Sequence, residues 1–351
     1  MSEAEILFER RGAAGVITLN RPKALNAVTH AMVLALRKQL DRWADDAAIT
    51  RVVITGACER AFSAGGDIRV LYDLGKAGRH ANALQFWRDE YPLNAVIKKY
   101  RKPYVALIDG IAMGGGIGVS VHGSHRVAAD RFSFAMPEVG IGFFPDVGAT
   151  WFLPRMPGEL GTYCALTGER LGIADALAGG IATHRVSSAR IDALLEGLTG
   201  SVSVDAVLAA FAEPPGEGPI MQRRAAIERL FASDMVENIL AGLDAESLSG
   251  SRDAEWAAQT AATMRVKSPL SLKLALAQVR GGKTWDFETC MRMEFRIVSR
   301  IVHGHDFYEG VRAVIVDKDN KPRWRPATLA DVKEADVERH FAPLRSSELL
   351  L

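Results

Sequence analysis

The feature that most constrains this chain is a pattern that occurs twice, in which an apolar strand runs directly into a glycine-rich turn. The β-branched segments 51–55 and 104–108 are typical of buried strands, and they lead into the turns 61–67 (AFSAGGD) and 109–116 (DGIAMGGG). Glycine lets a backbone approach a ligand closely and leaves its N–H free to point at it. Two such N–H groups on one oxygen would form an oxyanion hole, so the pattern indicates an enzyme that acts on a carbonyl group.

Composition narrows the class of protein. The hydrophobic content of 48% and the charged content of 24% are those of a soluble globular protein, and 351 residues are enough for a core that needs no disulfide or metal. A net charge of +1 gives no field that would favour nucleic acid or an acidic membrane surface. The three cysteines lack CxxC spacing, which fits a reducing compartment. Because no targeting or membrane-spanning segment is evident, we expect a cytoplasmic protein.

The order of the elements predicts an α/β architecture with crossover connections. Strands and helices alternate up to about residue 187, after which the strand signals disappear and helical patterns follow one another. We therefore expect a core formed by residues 1–200 and a helical C-terminal region formed by residues 201–351. The predicted helices cover residues 29–44, 83–99, 203–212, 222–232, 235–247, 251–265, 269–279, 285–302 and 305–315.

Two carboxylates lie in a segment that glycine and proline constrain strongly. Glu138 and Asp146 stand in residues 135–148 (AMPEVGIGFFPDVG), where their neighbours are apolar. Apolar surroundings raise the pKa of a carboxyl group toward neutrality, which is what a general acid or base requires. Glu138 is predicted to end a strand. A second interpretation of Asp146 stays open, since it could be the N-cap of a helix over residues 147–156.

Several other motifs fail on spacing. The glycines of 114–118 follow a strand but do not fit the G-x-G-x-x-G pattern of dinucleotide-binding loops, and close packing of a helix on a strand is the alternative. The pairs His122/His125 and His303/His305 lack a third nearby ligand, so packing or surface positions are favoured over a metal site. Glu90 lies between charged residues in a predicted helix, which by itself indicates a solvated face.

Four stretches, in their order and approximate spacing, resemble the crotonase (enoyl-CoA hydratase/isomerase) superfamily. They are residues 17–27 (ITLNRPKALNA), 61–68, 109–118 and 135–148. The resemblance implies a crotonase-like spiral of ββα turns, here with a helical C-terminal region. It also implies that the N–H groups of Gly66 and Gly115 hold a thioester carbonyl.

Within the superfamily, the chain is most similar to a branch that hydrolyses 3-hydroxyacyl-CoA thioesters. The similarity rests on the sequences GGDIR (65–69), EY (90–91) and FFPDVG (143–148), and on HDFYEGVRA (305–313) with DKD and KPRW after it. It implies that Glu138 and Asp146 are catalytic and that Glu90 lines the substrate pocket. The same resemblance places the CoA moiety along the loop 21–26 and the turn 64–68, which include the predicted binding residues Asn26, Ala64, Asp67 and Ile68.

One departure from the hydratase pattern favours hydrolysis. Hydratases place two glutamates around a water molecule, and the first of these positions is occupied here by Gly118. Hydration needs a matched acid and base on that water, which Gly118 does not supply. The resemblance then implies that Glu138 either attacks the thioester, giving an anhydride, or activates water. Asp146 is expected to contact a substrate hydroxyl and to assist proton transfer.

Two other functions stay open on the sequence. One is a crotonase-type lyase or isomerase that uses Glu138 alone, and the other is a non-catalytic CoA-binding scaffold whose helical C-terminal region recruits a partner. For the enzyme we expect an acyl-CoA as substrate and no metal or redox cofactor. We also expect no nucleic-acid or membrane partner, whereas a homo-oligomer is compatible with the resemblance.

Overall fold

The computed structural model describes residues 4–351, which form two compact units that alternate along the chain. The first unit comprises residues 4–67, 92–134 and 171–221. The second unit comprises residues 68–91, 135–170 and 222–351. The division predicted at residue 200 follows the sequence and not these spatial units, and it stays a prediction.

Nine strands in the described residues form two sheets. They are β1 (Ile6–Arg11), β2 (Ala14–Leu19), β3 (Arg51–Gly56), β4 (Ala61–Ser63), β5 (Tyr104–Ile108), β6 (Ile111–Met113), β7 (His125–Ala128), β8 (Ser133–Ala135) and β9 (His184–Arg185). The six-stranded sheet has the order β1-β2-β3-β5-β7-β9, in which the β1–β2 pair is antiparallel and the others are parallel. The three-stranded sheet has the order β4-β6-β8.

The chain passes between the two sheets in a repeating unit of two strands and one helical segment. In each of the successive pairs β3/β4, β5/β6 and β7/β8, the first strand joins the six-stranded sheet and the second joins the three-stranded sheet. A helical segment follows each pair, namely Ile68–Lys76, Gly115–Gly118 and the 3₁₀ turn Glu138–Ile141. This ββα repeat confirms the predicted spiral α/β fold.

Valine side chains hold the six-stranded sheet in the core of the first unit. Val16 pairs with Val53, Val53 pairs with Val105, and all three are buried. Helices Ile191–Thr199 and Val204–Phe211 cover them with further buried leucine and valine side chains. β-Branched residues fit a pleated, buried surface. The valine content of these strands therefore matches the apolar surface that the sheet buries.

Helices account for most of the remaining chain, and they confirm the predicted helical C-terminal region. No strand follows residue 185 within the described part of the sequence. None of the helices there is long and apolar enough to cross a bilayer. Besides those already given, the α-helices are His30–Asp45, His80–Lys98, Ala149–Phe152, Leu160–Thr167, Ile173–Ala178, Arg224–Leu230, Val236–Ser247, Ala254–Arg265, Pro269–Gly282, Phe287–Ile301, His305–Val311 and Glu334–Phe341.

In the first unit the two glycine-rich turns touch each other. A Cβ atom on Gly116 would lie 2.6 Å from both Cβ and the carbonyl oxygen of Ser63, so only glycine allows this approach. Gly65 has φ of +111°, a backbone conformation that favours glycine. A Cβ atom on Gly65 would lie 3.8 Å from the nitrogen of Gly115. The two motifs that dominate the sequence are therefore neighbours in space.

We expect the substitution Gly116→Ala to lower the free energy of unfolding by about 1–3 kcal/mol, because the added methyl group would push the backbone at residue 116 away from Ser63. Gly172→Ala in the same unit is the matched control, since a Cβ atom there meets nothing within 4 Å. Denaturant unfolding of both variants and the wild type measures the difference. A Gly116→Ala variant as stable as the wild type would contradict the close approach.

Candidate active site

The residues that the sequence predicts for the site divide between the two units. The first unit holds Asn26, Ala64, Gly66, Asp67 and Gly115, and the second holds Ile68, Glu90, Glu138 and Asp146. Ala64 and Ile68 are half-buried, so each keeps surface that a ligand could contact.

The N–H groups of Gly66 and Gly115 are available in the first unit. Strands β4 and β6 are parallel neighbours, and the two glycines follow their last residues closely in sequence. The turn around Gly66 is tied on both sides, because Val28 N donates to Gly65 O (2.8 Å) and Asp67 N donates to Val28 O (2.9 Å). No hydrogen bond within residues 4–351 uses the N–H of Gly66 or of Gly115. Both groups therefore have the free donor that an oxyanion hole needs.

Asn26 supports the first glycine turn from beneath. Its side-chain amide donates to the carbonyl oxygens of Ala61 (3.2 Å) and Phe62 (3.0 Å), and its Oδ1 accepts from Arg21 N (2.9 Å). Arg21 also forms an ion pair with Asp67 (Nη2–Oδ2, 3.0 Å). Asn26 is fully buried, and both ends of its amide are engaged with the backbone. The structure thus gives Asn26 a supporting position, and direct contact with substrate stays a prediction.

Besides Asp306, whose two oxygens accept from Ser268 and from Arg325 N, the second unit buries four carboxyl groups. Glu294 is 0% exposed, Glu90 1%, Asp146 5% and Glu138 7%. None of the salt bridges formed by residues 4–351 involves any of the four. One oxygen of Glu90 and one of Glu138 are buried without a hydrogen-bond partner. Buried carboxyl groups without a cation are energetically unfavourable when ionised, which makes this cluster a candidate for chemistry.

Glu294 was not predicted from the sequence. It lies on helix Phe287–Ile301, whose buried face includes Met291, Phe295 and Val298. Glu294 lies three residues after Met291 and four residues before Val298, so it stands on the apolar stripe of the helix. That position, in a helix that the periodicity does predict, is the signal that could have identified it.

The interpretation of Glu90 as a solvated residue is wrong. On helix His80–Lys98, Ala83, Trp87, Glu90 and Tyr91 all lie on one buried face, at the spacing i, i+4, i+7 and i+8. The hydroxyl of Tyr91 donates to Asp146 Oδ2 at 2.9 Å. One helical turn therefore carries both the carboxyl group of Glu90 and the hydroxyl group that orients Asp146.

The interpretation of Asp146 as a helix N-cap is also wrong. The helix covers only Ala149–Phe152, and its N-cap is Gly148. Val147 (φ +52°) and Gly148 (φ +89°) both leave the helical region, so no helix starts at residue 147. Glu294 takes the expected role of the cap, because its Oε2 accepts from Gly148 N (2.8 Å) and its Oε1 from Thr150 N (2.9 Å).

Glu138 does not end a strand. Strand β8 ends at Ala135, and Glu138 is the first residue of the 3₁₀ turn Glu138–Ile141. Pro137 stands between them and cannot donate to a strand ladder, which explains why the strand stops early. The turn leaves the Glu138 carboxyl group buried within the second unit.

Burial shifts the ionisation of the whole cluster. It raises the pKa of Asp146 to about 7, against the opposing effect of the hydrogen bond from Tyr91. Burial, reinforced by the charge of Asp146, raises the pKa of Glu294 to about 8. Burial first, then Asp146 and then Glu294, raise the pKa of Glu90 and of Glu138 well above the usual range. Near neutral pH the cluster therefore holds protons that exposed carboxylates would have lost.

This proton uptake makes stability depend on pH. The pKa of Asp146 in the folded chain, about 7, exceeds the ordinary aspartate value of 3.8, so the folded chain binds more protons than the unfolded chain between these two values. We expect the free energy of unfolding to fall as the pH rises from about 4 to about 8. Asp146→Asn should make this decline shallower, whereas Asp192→Asn at an exposed position should not. Urea titrations at several pH values measure the slopes, and identical slopes for all three proteins would contradict the raised pKa.

The other candidate motifs stay outside this chemistry. His125 Nε2 bonds to Asp205 (2.9 Å), and the ring of His303 lies 4.6 Å from that of His80. Between residues 4 and 351, no group of three or more His, Cys, Asp or Glu side chains is arranged to hold a metal ion. Cys164 and Cys290 are buried thiols, and Cys58 is half-buried.

Comparison with known proteins gives a consistent family. Residues 14–341 match the family model for enoyl-CoA hydratase/isomerase. The chain is 47% identical to a mitochondrial 3-hydroxyisobutyryl-CoA hydrolase of Danio rerio, over 99% of this chain and 92% of that protein. It is 42% identical to the human protein of the same name, over 98% of this chain and 90% of that protein.

Solved structures agree with the sequence comparison. A carnitinyl-CoA dehydratase from Mycobacterium thermoresistibile superposes with a TM-score of 0.93 at 44% identity, covering 99% of this chain and 98% of the other. An enoyl-CoA hydratase from Rhodobacter sphaeroides superposes with a TM-score of 0.92 at 37% identity, covering 99% and 100%. The helical C-terminal region is thus included in both similarities.

Proposed function

Because the chain belongs to the enoyl-CoA hydratase/isomerase (crotonase) family, we propose that it hydrolyses 3-hydroxyisobutyryl-CoA to 3-hydroxyisobutyrate and CoA, a step of valine breakdown. The relatives named for this activity share 41–47% identity with nearly the whole chain. The solved structures named as a dehydratase and a hydratase make a lyase the competing function.

The observation that carries the choice of hydrolysis is Gly118. It lies buried in the helix Gly115–Gly118 and occupies the place where the hydratase pattern has its first glutamate. Adding water to a double bond requires an acid and a base on one water molecule, and Gly118 offers no titratable group. Glu138 and Asp146, both buried and both with raised pKa, form a different pair that suits hydrolysis.

The thioester carbonyl is assigned to the N–H groups of Gly66 and Gly115. Both donors are free of other hydrogen bonds within the described chain. They would stabilise the negative charge that develops on the carbonyl oxygen as the tetrahedral intermediate forms, and loss of one such donor typically lowers the rate by about 10²–10³.

Glu138 is assigned to the attack on the acyl carbon. Its Oε2 is buried and has no hydrogen-bond partner within residues 4–351, so its lone pairs are not engaged. As a nucleophile, it would form a mixed anhydride and expel CoA as a thiolate, and water would then cleave the anhydride. As a general base, it would take a proton from water, whose oxygen attacks the same carbon. Both routes give free acid and CoA.

Asp146 and Glu90 are assigned to the substrate hydroxyl and to proton transfer. A pKa of about 7 leaves both forms of Asp146 populated near neutral pH, so it can accept a hydrogen bond or donate a proton. Glu90 Oε1 is buried without a partner among the described side chains and offers a second polar contact. Together these two groups would recognise a 3-hydroxyacyl chain.

The proposal also covers the cofactors, the cellular location and the oligomeric state of the enzyme. The assigned steps use no metal or redox cofactor, and CoA enters only as part of the substrate. We keep the expectation of a cytoplasmic location, although the relatives reported above are named as mitochondrial. A homo-oligomer is compatible with the proposal.

A panel of thioesters tests the reaction. We expect fast release of free thiol from 3-hydroxyisobutyryl-CoA and 3-hydroxypropionyl-CoA, and slow release from acetyl-CoA and crotonyl-CoA, followed with a colorimetric thiol reagent. Loss of enoyl absorbance from crotonyl-CoA without thiol release would instead support a lyase. Tight binding of acyl-CoA without any turnover would support a scaffold.

Replacing the assigned catalytic group separates chemistry from folding. We expect Glu138→Gln to lower kcat for thiol release by at least about 100-fold, because the amide is neither a nucleophile nor a base at neutral pH. Glu255→Gln, at an exposed position on helix Ala254–Arg265, is the matched control. Steady-state kinetics and melting curves are measured on both variants. A near-normal kcat for Glu138→Gln would remove Glu138 from the mechanism.

A further inference from the structure

The turn that carries Asp146 has an unusual backbone. Val147 is a β-branched residue at φ +52°, and Gly148 follows at φ +89°, so two successive residues lie in the left-handed region. A β-branched residue in that region is strained, and the surroundings must hold it there. The strain lies directly beside Asp146, so whatever holds this turn also sets the direction of the Asp146 side chain.

Glu294 holds the turn on its C-terminal side. Its two carboxylate oxygens accept separately from Gly148 N (2.8 Å) and Thr150 N (2.9 Å). A glutamine in the same place would present an N–H₂ group to one of these two donors and could not reproduce both bonds. An aspartate would be one methylene group too short for the same two bonds.

Gln278 holds the turn on its N-terminal side. From helix Pro269–Gly282 its Nε2 donates to the carbonyl oxygen of Pro145. Its own Oε1 is buried without a hydrogen-bond partner in the described part of the chain. A buried, half-satisfied amide is unfavourable for stability. The hydrogen bond to Pro145 is therefore the favourable polar interaction that accounts for a glutamine at this position.

We propose that Glu294 and Gln278 are positioning residues that fix the Asp146 turn from its two sides and thereby aim the Asp146 carboxyl group at the reacting substrate. The hydroxyl of Tyr91 donates to Asp146 Oδ2 at 2.9 Å, and the fixed turn keeps this acceptor in place. Neither residue is assigned to touch the substrate, so both act through Asp146. The proposal rests on the function proposed above and adds two residues to it.

The kinetic test is a double-mutant cycle. We expect Glu294→Gln and Gln278→Leu each to lower kcat by about 10- to 100-fold with a smaller change in KM, since a displacement of about 1 Å at a reacting group can cost about 100-fold. In the Asp146→Asn background, both substitutions should cause little further loss, because the group that they position is already gone. Losses that multiply in the double variants would overturn the proposal.

Controls separate positioning from general damage. Glu288→Gln changes a partly exposed glutamate on the same helix as Glu294 and should leave kcat unchanged. Gln278→Leu keeps the volume of the side chain and removes its unpaired Oε1, but it also takes the donor away from Pro145 O, so we expect a melting temperature only modestly below that of the wild type and a folded variant. If Glu294→Gln does not fold, Gln278→Leu carries the test by itself. An unchanged kcat in a folded Gln278→Leu variant would overturn its role.

Crystal structures decide the positioning independently of any substrate. In Glu294→Gln or Gln278→Leu, the Asp146 carboxyl group should move away from the Tyr91 hydroxyl, whereas in Glu288→Gln the 2.9 Å contact should persist. An unmoved Asp146 in the first two variants would contradict the proposal even if the wild type is active. If the wild type releases no thiol, the proposed function fails, and these structures still test the positioning.

Discussion

The organising constraint of the second unit is one set of four carboxyl groups that are buried without a cation. Glu90, Glu138, Asp146 and Glu294 form none of the salt bridges within residues 4–351, and burial raises the pKa of each. Such an arrangement is unfavourable for folding unless protons or backbone donors compensate it. The protein uses both means, since protons remain on the cluster near neutral pH and two backbone amides face Glu294.

The first unit depends on a different constraint, because its proposed contribution to the site is made by backbone N–H groups and not by side chains. Gly116 allows one turn to lie directly against Ser63 of the other, and Asn26 fastens the first turn to the chain beneath it. The amides of Gly66 and Gly115 remain free as a result. Here glycine works through close approach, whereas in the second unit the ionisation of the carboxyl groups depends on burial.

Local sequence predicted what depends on local physics. The strands at 51–55 and 104–108, the glycine turns after them and the apolar surroundings of Glu138 and Asp146 all follow from short windows. The alternative interpretation of Asp146 as a helix cap failed because Glu294, 146 residues from Gly148, satisfies the amides at the start of that helix. Such a long-range partner leaves no trace near Asp146. The local pattern was wrong about the burial of Glu90 for a different reason, since its charged neighbours outweighed the helical spacing that buries it, whereas the family resemblance had implied that it lines the pocket.

The ββα repeat places three of the proposed site residues at one recurring point of the chain. Gly66 follows β4, Gly115 follows β6 and Glu138 follows β8, each within three residues of the strand end. The ladder of the three-stranded sheet has ended at that point, so a residue there can change without breaking one of the hydrogen bonds between β4, β6 and β8. Gly118, which carries the proposed choice of hydrolysis, is the last residue of the short helix that begins at Gly115. The repeat therefore separates the scaffold from the reaction and lets one architecture be respecified at a few independent positions.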